Sequence, residues 1–426
     1  MVPGASHAPV PTLSARWAGL GRDVSVAVDA VELWSVELPF GDPVATAHGV
    51  HRRRPLVLVR VVGSTAVTGD AGPVEGWGEC AALADTTFDA EDVDRSLAAL
   101  GHQLVPALFE QLTSGRCGLP GPADLGGVRD AAPNAPLAFA ALEMAVADAH
   151  LRTEGRSLAG LVGVEGRTVE PGAVVGMADS VDELLARVGD LVGRGFSRVK
   201  VKIAPGWDVE PVSALAGAFP HLRLQVDANA AYRSGDGPGD DTGGHLAGLD
   251  RFELLCIEQP FDPDDLGAHA HLAARLSTPI CLDESLDSPG RVEEALALGA
   301  CSVVCVKPAR LGGLGAALSV IEHCRRSGVP LWMGGMFESG YARGVNTTLG
   351  ALEGMSWPGD LSPARSYLGD DLVPDDEMTV ADPRTSPDGS HAPLRRAVPR
   401  GPGMGTPPDP GAVARYGTLR QVIRSR

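Results

Sequence analysis

Apolar and polar residues alternate along residues 26–62, as in half-buried strands. A Gly-rich turn and the segment GWGEC follow, so the pattern predicts a small antiparallel meander. Two stretches with helical spacing come next, DAEDVDRSLAALGHQLVPALFEQL and PLAFAALEMAVADAHLRTEG. Strands followed by helices predict a self-contained α+β unit that ends near residue 160.

The pattern then changes to short apolar runs, most of them followed by one amphipathic helix. Seven runs precede residue 340, and they are GAVVGM, RVKVKI, LRLQVDAN, LLCIEQP, PICLDES, SVVCVKP and PLWMGG. They indicate βα units around a parallel sheet. The intervening helices are single and similar in length, which favours an α/β barrel over an open doubly wound sheet. No GxGxxG turn follows the first run, so a dinucleotide-binding fold has little support.

These patterns divide the chain into four segments. Residues 1–25 are rich in Ala, Pro and Gly, and we expect a disordered extension there. The α+β unit takes residues 26–160, and the barrel takes residues 161–370. Residues 371–426 form a C-terminal segment that we expect to pack partly on the α+β unit.

Composition and charge narrow the possible partners. The chain has 426 residues, 44% of them hydrophobic and 21% charged, so it can bury a sizeable core. The formal net charge of −18 would repel phosphate backbones and anionic membranes, which disfavours nucleic-acid and membrane binding. The basic run HRRR at residues 51–54 does not change this, because a short basic run before a strand is usually exposed.

Cysteine usage and hydropathy favour a cytoplasmic protein. No segment offers the ~18 uncharged apolar residues of a membrane span, and the N-terminus lacks a signal-peptide core. The seven cysteines form no CxxC pair, and several lie inside apolar runs. They are expected to be small buried hydrophobic residues rather than disulfides or a metal–thiolate site.

Acidic residues stand at the carboxyl ends of three successive predicted strands. Asp227, Glu258 and Asp283 each follow an apolar run, and working groups in barrels of this kind project from those ends. Unpaired buried carboxylates would repel one another and protonate, so a hard divalent cation such as Mg²⁺ is a suitable counter-charge. An interior salt-bridge network with the lysines would also satisfy these charges, without a metal.

Lys200, Lys202 and Lys307 are the only lysines of the chain, and all three stand at predicted strand ends. A two-residue period places Lys200 and Lys202 on one face of their strand, toward the barrel interior. Ordinary surface charge is left to arginine, so amines here suggest a task that arginine cannot perform, namely giving up a proton. A nearby cation would lower the pKa of such a lysine and make it a base near neutral pH.

The motifs VKVKIAPGWD, VDANAAY, IEQPF, CLDES, VKPARLGG and GGMFESGYAR resemble, in this order, the o-succinylbenzoate synthase and N-acylamino-acid racemase group of the enolase superfamily. The resemblance runs from about residue 28 to at least residue 370, and the series is specific only in combination. It implies an N-terminal α+β capping domain over a modified (β/α)7β barrel of the TIM type.

The resemblance also implies roles for individual residues. Lys202 and Lys307 would be the catalytic pair, while Lys200 and Asn229 would support the substrate carboxylate and the metal region. Gly335 and Met336 would line the substrate pocket, although Met336 serves equally well as core filler. Mg²⁺ or Mn²⁺ would be held by the three carboxylates, which are Asp227, Glu258 and Asp283.

The implied activity begins with removal of a proton next to a carboxylate. Dehydration of 2-succinyl-6-hydroxy-2,4-cyclohexadiene-1-carboxylate in menaquinone biosynthesis is the first reading, and racemisation of N-succinylamino acids or other N-acylamino acids is the close alternative. Another enolase-superfamily activity, or a barrel without catalysis, stays open. We expect a small carboxylate substrate and a homo-oligomer.

Overall fold

The computed structural model describes residues 11–22, 25–46, 49–65, 72–86, 89–113, 118–234, 246–374, 378–380 and 393–425. They form an N-terminal antiparallel sheet with helices, here called the cap, and a parallel barrel. Within this part of the chain no helix is both long and apolar enough to cross a bilayer. The six cysteines it contains are free and buried, as predicted.

The strands and helices lie in the order expected for such a two-part chain. The strands are β1 (Val26–Thr46), β2 (Gly49–Thr65), β3 (Pro73–Cys80), β4 (Thr168–Val169), β5 (Ala173–Val175), β6 (Arg198–Lys202), β7 (Arg223–Asp227), β8 (Ile257–Glu258), β9 (Ile280–Leu282), β10 (Val303–Val306), β11 (Leu331–Met333), β12 (Met378–Val380), β13 (Leu394–Ala397) and β14 (Gly417–Arg424). The helices are α1 (Leu13–Gly19), α2 (Val93–Ala99), α3 (Val105–Thr113), α4 (Gly126–Asp130), α5 (Pro136–Thr153), α6 (Leu158–Val162), α7 (Val181–Gly193), α8 (Val209–Ala218), α9 (Leu266–Ala273), α10 (Pro289–Ala297), α11 (Leu314–Ser327), α12 (Gly340–Gly350) and α13 (Pro410–Tyr416). A π-helical turn, Leu100–Leu104, joins α2 to α3, and 3-10 turns lie at Pro122–Asp124, Asp250–Phe252 and Ala364–Ser366.

The cap sheet has the strand order β14-β1-β2-β3, and its first three strands form the predicted meander. Strand β14 follows the barrel in the sequence. It pairs antiparallel with β1, with Ala30 opposite Arg424. Helix α5 packs closely on β3, and glycine makes this close approach possible. A Cβ at Gly76 or Gly78 would collide with the backbone of α5. The GWGEC segment therefore fixes the distance between sheet and helix.

The barrel sheet has the order β11-β10-β9-β8-β7-β6-β5, and all paired neighbours are parallel. These strands are the seven predicted runs, so the predicted α/β barrel is confirmed. An irregular segment closes the circle, through parallel bridges from Leu331 to Met355 and from Pro171 to Gly359. The segment of residues 355–360 therefore occupies the place of an eighth strand.

Part of the N-terminal extension is ordered, contrary to the predicted disorder. Residues 11–22 contain α1, whose first turn is capped by Thr12 accepting a hydrogen bond from the backbone N–H of Ala15 at 3.1 Å. Trp17 is buried, and the hydroxyl of Ser14 donates to Glu322 of α11 at 2.7 Å. Composition suggested disorder, but one capped apolar turn is enough to attach this piece to the barrel.

Arg54 is fully buried, so the prediction that residues 51–54 are an exposed basic run is wrong at its last position. Its guanidinium donates to five backbone carbonyls at 2.5 to 2.9 Å. Three of these belong to the cap and two to the barrel, and they are those of Pro55, Ala81, Ala82, Met336 and Phe337. A two-residue period places Arg54 on the buried face of Leu56 and Leu58, a signal that charge alone concealed.

Two buried carboxylates of the cap also reach the barrel. Glu79 accepts a hydrogen bond from the backbone N–H of Ser339, at the start of α12, at 2.9 Å. Glu143 accepts from the backbone N–H of Leu314, at the start of α11, at 2.5 Å. Carboxylates are favoured at helix N-termini, where backbone N–H groups have no partner in the helix. Together with Arg54, they form a set that we call the interface charges.

Candidate active site

The lysines and acids of the predicted site meet at the carboxyl ends of the barrel strands. Lys202 is directly opposite Asp227 in the register of β6 and β7, and Asp227 is directly opposite Glu258 in that of β7 and β8. Parallel pairing keeps residues at one level of the barrel together, so three neighbouring strands deliver these charges to one place. Lys307 follows β10, two strands beyond β8 in the sheet.

Lys200 lies at the centre of a cluster of carboxylates. Its Nζ is 3.2 Å from Asp227, 3.0 Å from Glu258 and 2.8 Å from Asp360. Burial alone would lower the pKa of Lys200, but the charges of Asp360, Glu258 and Asp227 raise it well above its usual range. Lys200 is therefore a fixed cation rather than a base.

Lys202 and Lys307 each contact a different acid. The Lys202 amine donates to Asp227 at 2.7 Å and to the side-chain oxygen of Asn229 at 2.5 Å. The Lys307 amine donates to Asp283 at 2.6 Å. Burial lowers the pKa of Lys307, but Asp283 raises it above its ordinary value, opposite to the direction predicted from the sequence. A cation bound to Asp283 would weaken that attraction.

The three acids are buried, and their surroundings shift their pKa values in different directions. Burial and the neighbouring Asp227 raise the pKa of Glu258 to about 8, whereas Lys202 and Lys200 hold the pKa of Asp227 below its usual range despite burial. Ligand atoms of Glu258 and Asp283 lie within 4.8 Å of each other, in a group that does not include Asp227. Lys200 links Asp227 to Glu258, and Asp283 pairs with Lys307. These residues therefore form the salt-bridge network that was the alternative to a metal.

The donor set suits a divalent cation. Ligand atoms of Glu258 and Asp283 lie close together, and one oxygen of the adjacent Glu284, Oε2, is buried without a hydrogen-bond partner among the described residues. Burial and Asp283 raise the pKa of Glu284 to about 7, as expected where negative charge is not fully compensated. Hard oxygen ligands of this kind fit Mg²⁺.

A cavity of about 540 Å³ extends from these groups to the cap. Gly335 and Met336, predicted to line the substrate pocket, are part of its wall. The cap contributes residues 41–43, Val50, Leu83 and Asp89. Every other predicted site residue also lines it except Glu258, which is fully buried.

Two charged residues next to the site were missed in the sequence. Arg310 is buried and pairs with Asp283 and, at 2.8 Å, with Asp89 of the cap. Asp360 is buried and pairs with Lys200 and Arg198. Arg310 lies in the motif VKPARLGG, three residues after Lys307, and its spacing could have identified it. Asp360 had no such signal, because the segment of residues 355–360, in the place of the eighth strand, has no strand pattern.

Comparison with known proteins gives the same group as the motifs. Residues 183–412 match the family model described as enolase C-terminal domain-like. The chain is 40% identical to an N-succinylamino acid racemase of an Amycolatopsis species, over 93% of this chain and 100% of the relative. It is 35% identical to an o-succinylbenzoate synthase of Geobacillus kaustophilus, over 92% of this chain and 96% of the relative.

Solved structures agree with this sequence similarity. An enolase-superfamily member from Listeria innocua aligns with a TM-score of 0.80 and 30% identity, over 94% of this chain and 100% of that one. A probable mandelate racemase from Alicyclobacillus acidocaldarius aligns with a TM-score of 0.81 and 34% identity, over 94% and 98% of the two chains. The chain is therefore an enzyme of the enolase superfamily, in the group that contains o-succinylbenzoate synthases and N-succinylamino acid racemases.

Proposed function

We propose that the chain is an o-succinylbenzoate synthase, which dehydrates 2-succinyl-6-hydroxy-2,4-cyclohexadiene-1-carboxylate in menaquinone biosynthesis. The placement of two amines supports this most directly. Lys202 ends β6 and Lys307 follows β10, with the three acid-bearing strands β7, β8 and β9 between them. In a barrel with eight strand positions, this order puts the two amines on opposite sides of one cavity, and both amines line that cavity.

Asp227, Glu258 and Asp283 are the proposed ligands of Mg²⁺ or Mn²⁺. The unpartnered Glu284 oxygen and the raised pKa of Glu258 support a missing positive charge at this point. When bound, the ion would stabilise the negative charge that the substrate carboxylate gains as the α-proton leaves.

The side chains of this chain would then divide the reaction between them. Lys202, in its neutral form, takes the α-proton at Nζ and returns a proton to the departing hydroxyl on the same face. Lys307 stays protonated and opposes the developing negative charge from the other face. Lys200, held cationic by its three carboxylates, contributes charge only, and Asn229 holds the Lys202 amine in place.

Racemisation of N-succinylamino acids is the second candidate, and one observation favours it. The relative with 40% identity and full coverage is named an N-succinylamino acid racemase. In that reaction Lys202 and Lys307 would exchange the roles of proton donor and acceptor across the substrate plane. Both reactions begin with the same proton transfer, so one pocket can support both.

The deciding experiment is a direct assay of the purified protein with Mg²⁺. The cyclohexadiene substrate and a panel of N-succinylamino acids would be compared at equal enzyme concentration, with deuterium exchange at the α-carbon followed by NMR. Turnover of the cyclohexadiene substrate is expected. Turnover of the amino acids alone would make the dehydratase proposal wrong, and exchange with neither would favour another activity of the superfamily or a barrel without catalysis.

A further inference from the structure

A thiol lies directly beneath the acids at the barrel centre. Cys305 belongs to β10 and precedes Lys307 by two residues, so both point into the barrel. One ligand atom each of Glu258, Asp283 and Cys305 lie within 4.8 Å of one another, and these residues are 0%, 2% and 2% exposed. The carboxylates and the thiol therefore face one small, enclosed space.

The neighbouring thiols lie in the same layer of the barrel, but their contacts differ from those of Cys305. Cys281 accepts a hydrogen bond from the indole N–H of Trp332 at 3.4 Å, and it packs with Cys256 and Cys305 in one apolar cluster. Among the described residues, the sulfur of Cys305 makes no hydrogen bond, although it lies closest to the acids. A buried thiol that is free of partners and faces two carboxylates is available as a ligand.

The mixed donor set distinguishes between kinds of metal ion. Mg²⁺ prefers oxygen ligands and gains nothing from sulfur, whereas Zn²⁺ and Cd²⁺ bind thiolates strongly. Around a tetrahedral zinc ion, with ligand bonds of about 2.0 to 2.3 Å, neighbouring donors are roughly 3.5 Å apart. The three ligand atoms, which lie within 4.8 Å of one another, are already near that spacing.

We propose that Glu258, Asp283 and Cys305 form a site for a zinc-class ion, and that such an ion inhibits the enzyme. Binding displaces the thiol proton to solvent and changes no oxidation state. The ion would occupy two of the three carboxylates proposed for Mg²⁺ and draw them toward Cys305. The two ions therefore exclude each other. Only the inhibition rests on the proposed function, while the binding site stands by itself.

Cadmium is the probe, because a Cd²⁺–thiolate bond gives an ultraviolet charge-transfer band. Metal-free full-length protein is titrated with Cd²⁺, and one equivalent is expected to produce the band. Cys305→Ser should lose it, while Cys324→Ser, which removes a buried thiol of α11 away from the site, should keep it. A band that persists in Cys305→Ser, or no band in the unaltered protein, would make the site assignment wrong.

The folded state of each variant is checked by near-ultraviolet circular dichroism before titration, and Cys305→Ala replaces Cys305→Ser if the serine variant does not fold. Inhibition is then measured as loss of Mg²⁺-dependent α-proton exchange with added Zn²⁺. The Cys305 variant should need roughly tenfold or more Zn²⁺ for the same inhibition, since a strong ligand is gone. An unchanged zinc requirement contradicts the inhibition claim. A protein that shows the band but no exchange disproves only the proposed function.

Discussion

The interface charges and the charges at the barrel centre are equally buried, yet they are satisfied in different ways. Arg54, Glu79 and Glu143 bond mainly to backbone groups, and each of them reaches at least one backbone group of the barrel. Lys200 and Lys307 bond to carboxylates that also suit a cation. The hydrogen bonds of the interface charges can form in only one arrangement, and they hold the cap on the barrel. The ion pairs at the barrel centre can be rearranged by ions and substrate, as a reactive centre requires.

Removal of the metal should give the largest difference between the interface charges and the charges at the barrel centre, because only the latter are proposed to bind it. A chelator is expected to lower α-proton exchange by more than about a thousandfold, because the negative charge formed at the carboxylate loses its counter-charge. Adding Mg²⁺ should restore the rate, and saturating Mg²⁺ should raise the melting temperature. Arg54→Lys should respond to the metal as the unaltered protein does. Full activity after dialysis against the chelator would contradict the proposed metal site.

Lys202→Arg keeps the positive charge near Asp227 but replaces the proposed base by a side chain that stays protonated. Turnover and α-proton exchange should fall by about 10²- to 10⁴-fold, the usual contribution of a general base. The melting temperature should change little, because the ion pair with Asp227 can form again. Activity within about tenfold of the unaltered enzyme would show that Lys202 is not the base.

Arg54→Lys tests the interface charges. A lysine amine has three donors and cannot satisfy five carbonyls, so the free energy of unfolding should fall by about 3–5 kcal/mol. Arg53→Lys is the matched control, since Arg53 is exposed and its replacement should change stability by less than about 0.5 kcal/mol. Urea denaturation measures both. Equal effects of the two replacements would show that the carbonyl contacts of Arg54 contribute nothing.

Glu143→Gln should give the smallest and most pH-dependent effect. Burial raises the pKa of Glu143 from 4.5 to about 7, against the opposing N–H bonds of Leu314 and Gly315. The folded protein therefore holds this proton more tightly than the unfolded chain, and stability falls as pH rises from about 4.5 to about 7, by up to about 3 kcal/mol. The glutamine variant lacks this slope. Parallel unfolding curves across that interval would contradict the shifted pKa.

Strand ends were the most informative feature of the sequence. Apolar runs located all seven barrel strands, and their last residues placed Lys202, Asp227 and Glu258 at one level, as the register shows. Asp360 could not be found in this way, because the closing segment of residues 355–360 follows no two-residue period. Periodicity identifies regular strands and helices, so it cannot locate a polar group on an irregular segment of the barrel.

Long-range pairing explains the remaining misses. The sequence gives no sign that Arg54 faces carbonyls more than two hundred residues away, or that Asp283 reaches Lys307 and thereby raises its pKa. Both depend on which groups meet after the chain has closed, and spacing along the chain does not encode that. The homo-oligomer and the cytoplasmic location stay predictions.

The pairing of β14 with β1 makes the cap a discontinuous structure, divided in sequence by the entire barrel. During synthesis β1 leaves the ribosome long before its outer neighbour, Gly417–Arg424, has been translated. The nascent cap sheet must wait with one unpaired edge until the barrel has emerged. Completion of the cap sheet over the cavity is thereby tied to synthesis of the segment that follows the barrel.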